Sequence, residues 1–183
     1  MAPRIIAYGD SLTYGYPFGN KYSWVELLSE KLGIKILNAG SNGDALRDLQ
    51  NRLLIDVVDQ KPDYVILMGG TNDVYQGSAQ ADMEDRFKKI LKTLKENKIK
   101  AILGIPPPIV EKEMEERLAK FRRFVKRTAK ESNLPTINFY DMFFEAKKKR
   151  PNPSLLEDGV HPSAAGYKLM AETAHAAIQK ILK

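Results

Sequence analysis

Residues 4–13 read Arg4-Ile5-Ile6-Ala7-Tyr8-Gly9-Asp10-Ser11-Leu12-Thr13. A short apolar run ends in a glycine, a carboxylate and a hydroxyl. Apolar character that does not alternate marks a strand covered on both faces, as in a parallel sheet. The same pattern recurs at Ile34–Asn38, Tyr64–Met68, Lys100–Ile105 and Thr136–Tyr140. With Arg4–Tyr8 these make five predicted strands.

Helical periodicity fills the intervals. Trp24, Leu27, Leu28 and Leu32 mark one helix, and Leu46, Leu49, Leu53, Leu54 and Val57 a second. Phe87, Ile90, Leu91 and Leu94 mark a third, Met114, Leu118, Phe121 and Val125 a fourth, and Tyr167 to Ile181 the last. Strand–helix alternation of this kind requires right-handed crossovers between parallel strands. The expected fold is α/β: a three-layer α/β/α sandwich on a five-stranded parallel sheet in flavodoxin-like order, with residues 1–183 as one domain.

The chain has 183 residues, of which 43% are hydrophobic and 28% charged. That is enough to bury a core without covalent staples. It has no cysteine, which excludes disulfides, thiolate metal sites and a thiol nucleophile. Only His161 and His175 can supply an imidazole. The net charge of +6 is mild. Lys147-Lys148-Lys149-Arg150 has no interleaved aromatics and reads as a solvated helix end, so no nucleic-acid partner is expected. No apolar run reaches the ~18 residues of a membrane span, and the N-terminus lacks a signal-peptide core. A soluble, cytoplasmic protein with no membrane partner is the expectation.

Ligands of open α/β sheets bind beyond the carboxyl ends of the strands. The segments there are Gly9-Asp10-Ser11-Leu12, Asn38 through Asp44, Gly70-Thr71-Asn72-Asp73 and Pro106-Pro107-Pro108; Asp158-Gly159-Val160-His161-Pro162 precedes the last helix. Each alone has a plainer reading. Ser11 could cap a helix, Asp158-Gly159 could be a turn, and Asn72 could be a turn residue. Together they bring a hydroxyl, a carboxylate, an imidazole, a glycine N–H and a side-chain amide to one edge, the parts of an acyl-transfer site.

On these four blocks, excluding the proline run, the sequence resembles the GDSL-type esterases and lipases, the SGNH hydrolases. The resemblance implies Ser11 as nucleophile, His161 as base and Asp158 as third triad member. It implies an oxyanion hole from Ser11, Gly43 and Asn72, with Gly40 as the competing glycine, and no cofactor. His175 lies on a helix between Ala174 and Ala176 with no flanking loop, and is expected to pack. Asp10 and Asp73 read as loop ties; a metal site of Asp10, Asp44 and Asp73 is the alternative, and no metal is expected.

The implied activity is hydrolysis of small or short-acyl carboxylic esters, such as carbohydrate O-acetyl, aryl or lysophospholipid esters, with a small-molecule ester as the partner. Transfer of the acyl group to another acceptor, and a non-enzymatic flavodoxin-like binding domain, are the alternatives. No G-x-x-x-x-G-K-[ST] or G-x-G-x-x-G follows a strand. Tyr14, Tyr16, Pro17, Phe18 and Tyr22, with Pro106–Ile109 and Met142–Phe144, are candidate pocket walls; packing between loop and helix is the alternative, and the favoured one for Phe143 or Phe144.

Overall fold

The β-branched and leucine-rich runs form five parallel strands: β1 (Ile5–Gly9), β2 (Ile36–Gly40), β3 (Tyr64–Leu67), β4 (Lys100–Ile105) and β5 (Thr136–Asn138). The computed structural model describes residues 2–145 and 150–182. The strand order is β2-β1-β3-β4-β5, the flavodoxin-like arrangement expected. Successive side chains of a strand point to opposite faces. Ile6, Tyr8, Val65, Leu67, Leu103 and Ile105 accordingly enter one apolar layer. Ile5, Ala7, Ile66, Met68, Ile102 and Ile137 enter the other.

The first layer is covered by α3 (Leu46–Leu53), α4 (Thr71–Tyr75), α5 (Gln80–Glu96) and α6 (Lys112–Glu131). Phe87, Phe121 and Phe124 form its aromatic centre, with ring centroids 5.6–6.0 Å apart. The second is covered by α1 (Ser11–Tyr14), α2 (Trp24–Leu32), α7 (Phe139–Phe143) and α8 (Ala164–Ile181). A two-residue antiparallel pair, β6 (Phe144–Glu145) with β7 (Arg150–Pro151), precedes the loop to α8. Among the described residues no helix is long and apolar enough to cross a membrane.

Three expectations are corrected. β2 is an edge strand rather than one covered on both faces, and Leu37 is 42% exposed, because only β1 pairs with it. The fifth run stops at Asn138, whose side chain accepts from the N–H groups of Tyr140 and Asp141 and starts α7. Leu54 is exposed rather than packed: after Leu53 the chain widens into a π-turn, Leu54–Val58, and the buried stripe passes from Leu53 to Val57. Most of the tetrad Lys147-Lys148-Lys149-Arg150 lies outside the described residues.

Candidate active site

The chain leaves β1 first for the edge strand β2 and then returns to β3 on its other side. The reversal opens a crevice at the carboxyl ends of β1 and β3. Ser11 follows β1 and Asn72 follows β3. Asp10, not Ser11, is the N-cap of α1: its Oδ1 accepts the Leu12 N–H at 2.9 Å. The Ser11 hydroxyl is thereby left for other chemistry, and its Oγ lies 3.0 Å from His161 Nε2.

His161 sits on a loop closed at its stem by Glu157 N–H donating to the His161 carbonyl at 2.7 Å and by the Leu156–Pro162 bridge. Inside the loop, Asp158 Oδ1 accepts the N–H groups of Val160 and His161 at 3.0 and 2.8 Å. Its Oδ2 lies 2.7 Å from His161 Nδ1. Partial burial pushes the Asp158 carboxyl up, but these N–H donors and the ring outweigh it and hold it below the ordinary carboxylate range. Ser163 then starts α8 by accepting the Gly166 N–H. His175, half-buried on α8, makes no hydrogen bond to the side chains at the crevice.

The two candidate glycines differ. Gly40 N–H is committed to Asn38 Oδ1 at 2.9 Å, and a Cβ at Gly40 would fall inside the backbone of Thr13 and Tyr14. Gly43 has φ +82° with open space where a Cβ would stand, and its N–H reaches no protein acceptor among the described residues. The Ser11 N–H is likewise uncommitted. Asn72 Nδ2 gives one hydrogen to the Asp44 carbonyl at 2.9 Å, which leaves its second free.

The three aspartates of the alternative metal site turn to separate partners. Asp10 holds Leu12 N–H, Asp44 pairs with Arg52 at 2.6 Å, and Asp73 Oδ2 accepts the Leu46 N–H at 2.9 Å. Asp73 thus supplies the cap that Ala45, with no polar side chain, cannot give α3. Asp10 is fully buried with Oδ2 unpartnered, and burial pushes its carboxyl up to about 7.

Around the crevice, the Tyr16 ring lies 4.6 Å from that of His161, and the Tyr167 hydroxyl holds the Tyr16 carbonyl at 2.7 Å. Exposed Val110 donates its N–H to the Gly159 carbonyl. Pro106–Ile109, expected as walls, are buried instead. Arg122 draws the Pro106 and Pro107 carbonyls inward, whereas Phe143 packs in the α2/α8 core as its favoured reading had it. The sequence reading missed Arg52 and Arg122: both stand in helical repeats where arginine signals only a solvated face.

The family model of the GDSL-like lipase/acylhydrolase family matches residues 7–169. An acetylxylan esterase of Geobacillus stearothermophilus is 33% identical over 154 residues, covering 77% of this chain and 70% of that one. The crystal structure of a member of the lipolytic G-D-S-L family from Veillonella parvula superposes with a TM-score of 0.88 at 27% identity, covering 98% of this chain and all of the other. Two structures of an acetylxylan esterase from Geobacillus stearothermophilus, at 28% and 27% identity with TM-scores of 0.82 and 0.81, each cover 97% of this chain and 94% of their own. Each is described as a catalytic mutant: one replaces an aspartate by alanine, the other a histidine three residues further on. On the family match and the shared fold, the chain belongs to the GDSL-like lipase/acylhydrolase family and is a carboxylic ester hydrolase.

Proposed function

We propose that this hydrolase cleaves small or short-acyl carboxylic esters through an acyl-enzyme on Ser11. The observation that carries the reading is the run of contacts from Ser11 Oγ through His161 to Asp158, at 3.0 and 2.7 Å. A serine hydroxyl is nearly inert at neutral pH and needs an adjacent base. His161 Nε2 takes the Oγ proton as Oγ bonds to the ester carbon and the carbonyl electrons move to oxygen. Collapse expels the alkoxide, which takes the proton from the imidazolium. Water, deprotonated by the same ring, then attacks the acyl carbon, frees the carboxylic acid and restores Ser11.

Asp158 selects the tautomer with hydrogen on Nδ1 and stabilises the imidazolium. The uncommitted N–H groups of Ser11 and Gly43 and the second Nδ2 hydrogen of Asn72 are the donors for the oxyanion. The aspartate-histidine spacing of the related catalytic mutants supports the role given to Asp158 and His161. Acetyl esters of carbohydrates lead the candidate substrates, supported by the acetylxylan esterase relative and by exposed Tyr16 beside the histidine.

Steady-state hydrolysis of p-nitrophenyl acetate and of an acetylated xylo-oligosaccharide tests this. Ser11→Ala is expected to lose about 10³-fold or more in kcat with the fold intact. Wild-type turnover by Ser11→Ala would falsify the assignment.

A further inference from the structure

Arg52, on the last turn of α3, reaches four acceptors at once. Nε donates to Asp44 Oδ2 at 2.6 Å and Nη1 to Asp56 Oδ2 at 2.7 Å. Nη2 donates to the Gly9 carbonyl at 2.8 Å and the Ala39 carbonyl at 3.0 Å. The guanidinium lies over the Tyr8 ring, 4.5 Å from its centroid, and the Tyr8 hydroxyl donates to the Leu49 carbonyl on the same helix. A planar fork of five N–H groups meets several acceptors in one fixed geometry, which an ammonium cannot do.

The acceptors belong to the segments that carry the proposed oxyanion donors. Gly9 ends β1, two residues before Ser11. Ala39 is the penultimate residue of β2, and Asp44 directly follows Gly43. The Asp44 carbonyl in turn orients Asn72, and Asp44 Oδ1 accepts the Ser41 hydroxyl. Packing does not hold the Gly43 turn, since the space beside its Cα is open. Its direction is set by polar contacts at Ser41 and Asp44, with a long one from Gln76 Nε2 to the Gly43 carbonyl at 3.4 Å. Arg52 also neutralises the carboxylate of Asp44, the residue that follows the Gly43 donor. An uncompensated Asp44 charge would oppose the developing oxyanion, most strongly in a partly dry site.

We propose that Arg52 is a positioning residue for transition-state binding, holding Ser11, Gly43 and Asn72 in register through Gly9, Ala39 and Asp44. The proposal rests on the acyl-enzyme reading above. An interaction that counts only in the transition state lowers kcat and kcat/KM together. Arg52→Met is expected to lower kcat for p-nitrophenyl acetate about 10- to 100-fold, counted per active site titrated with a serine-directed phosphonate, with KM within about threefold. Arg52→Lys recovers part of that loss.

Asp44→Ala, which keeps the guanidinium, is the second variant should Arg52→Met fold poorly, and is expected to lose a similar factor. Residues acting in one network give non-additive losses. The double variant Arg52→Met/Asp44→Ala is therefore expected to lose no more than the worse single variant. A kcat per active site within threefold of wild type in Arg52→Met, or multiplicative losses in the double variant, overturns the proposal while leaving the acyl-enzyme reading intact. Full activity of Ser11→Ala removes that underlying reading instead.

Discussion

Asp158 holds His161 twice, accepting its backbone N–H on Oδ1 at 2.8 Å and meeting its ring Nδ1 with Oδ2 at 2.7 Å. The backbone bond fixes where the ring begins and the side-chain bond fixes how it is turned. A carboxylate three residues before the histidine does both only because the intervening segment is a turn rather than a helix.

Asp158→Asn keeps an acceptor for the backbone N–H groups but removes the charge facing Nδ1. The expected outcome is a kcat loss of about 10²- to 10⁴-fold with a small change in KM, read from steady-state kinetics. The Asp158 side chain is half exposed, so thermal stability is expected to change little.

Gly40 and Gly43 separate a folding role from a chemical one. Gly40→Ala drives a methyl group into the Thr13–Tyr14 backbone, so its melting temperature is expected to fall by several degrees. Gly43→Ala meets open space and costs only the strain of a positive φ, about 1 kcal/mol. That strain shifts an oxyanion donor, and kcat is expected to fall at least about tenfold. Calorimetry beside kinetics on both variants checks the pair.

Asn72→Ala removes a donor without touching the base. Its kcat is expected to fall about 10²- to 10³-fold. The Asp44 carbonyl also loses its partner. Partial recovery by Asn72→Gln but not by Asn72→Asp, measured on p-nitrophenyl acetate, identifies hydrogen donation as the lost property.

Asp10 makes stability depend on pH. Burial raises its carboxyl to about 7 in the folded chain against 3.8 for the free side chain. Between those values the folded state binds the proton and the unfolded state does not. This contribution is therefore fully present below about pH 4, declines as pH rises, and is gone above about pH 7. A shift of that size corresponds to a few kcal/mol, about 1.4 per unit. Asp10→Asn keeps the Leu12 N–H acceptor and removes the ionisation. Its stability relative to wild type, from urea unfolding, is expected to be higher at pH 8 than at pH 4.5. An equal difference at both pH values would show that Asp10 does not titrate in this range.

Arg122 holds the segment after β4. It is almost fully buried, pairs with Glu115 Oε1 through Nη1 at 2.9 Å, and donates to the Pro106 carbonyl at 3.1 Å. Burial lowers its pKa, and the Glu115 charge opposes that. Arg122→Met leaves the part-buried Glu115 charge with only the Ile109 N–H as partner and is expected to cost about 2–4 kcal/mol in urea unfolding. Adding Glu115→Met removes the stranded carboxylate and is expected to restore part of the loss.

Much of this molecule was legible along the chain. The strands β1, β3 and β4 and the long helices announce themselves because apolar periodicity is local, and their lengths follow from it. The four blocks from Gly9 to Pro162 identify the family because chemistry-bearing residues sit at loop positions that the strands themselves mark. Other features depend on which distant segment arrives alongside. Ser11 and His161 are 150 positions apart and meet only because α8 packs against α2 and β5 and brings its preceding loop to the crevice. Leu37 looks like a core residue until the strand order leaves β2 at the edge. Gly40 and Gly43 are equivalent as letters; the first is filled by α1 and the second faces open space. Arg52 and Arg122 show the same limit: a guanidinium's worth is set by the acceptors gathered around it, and tertiary packing alone assembles those.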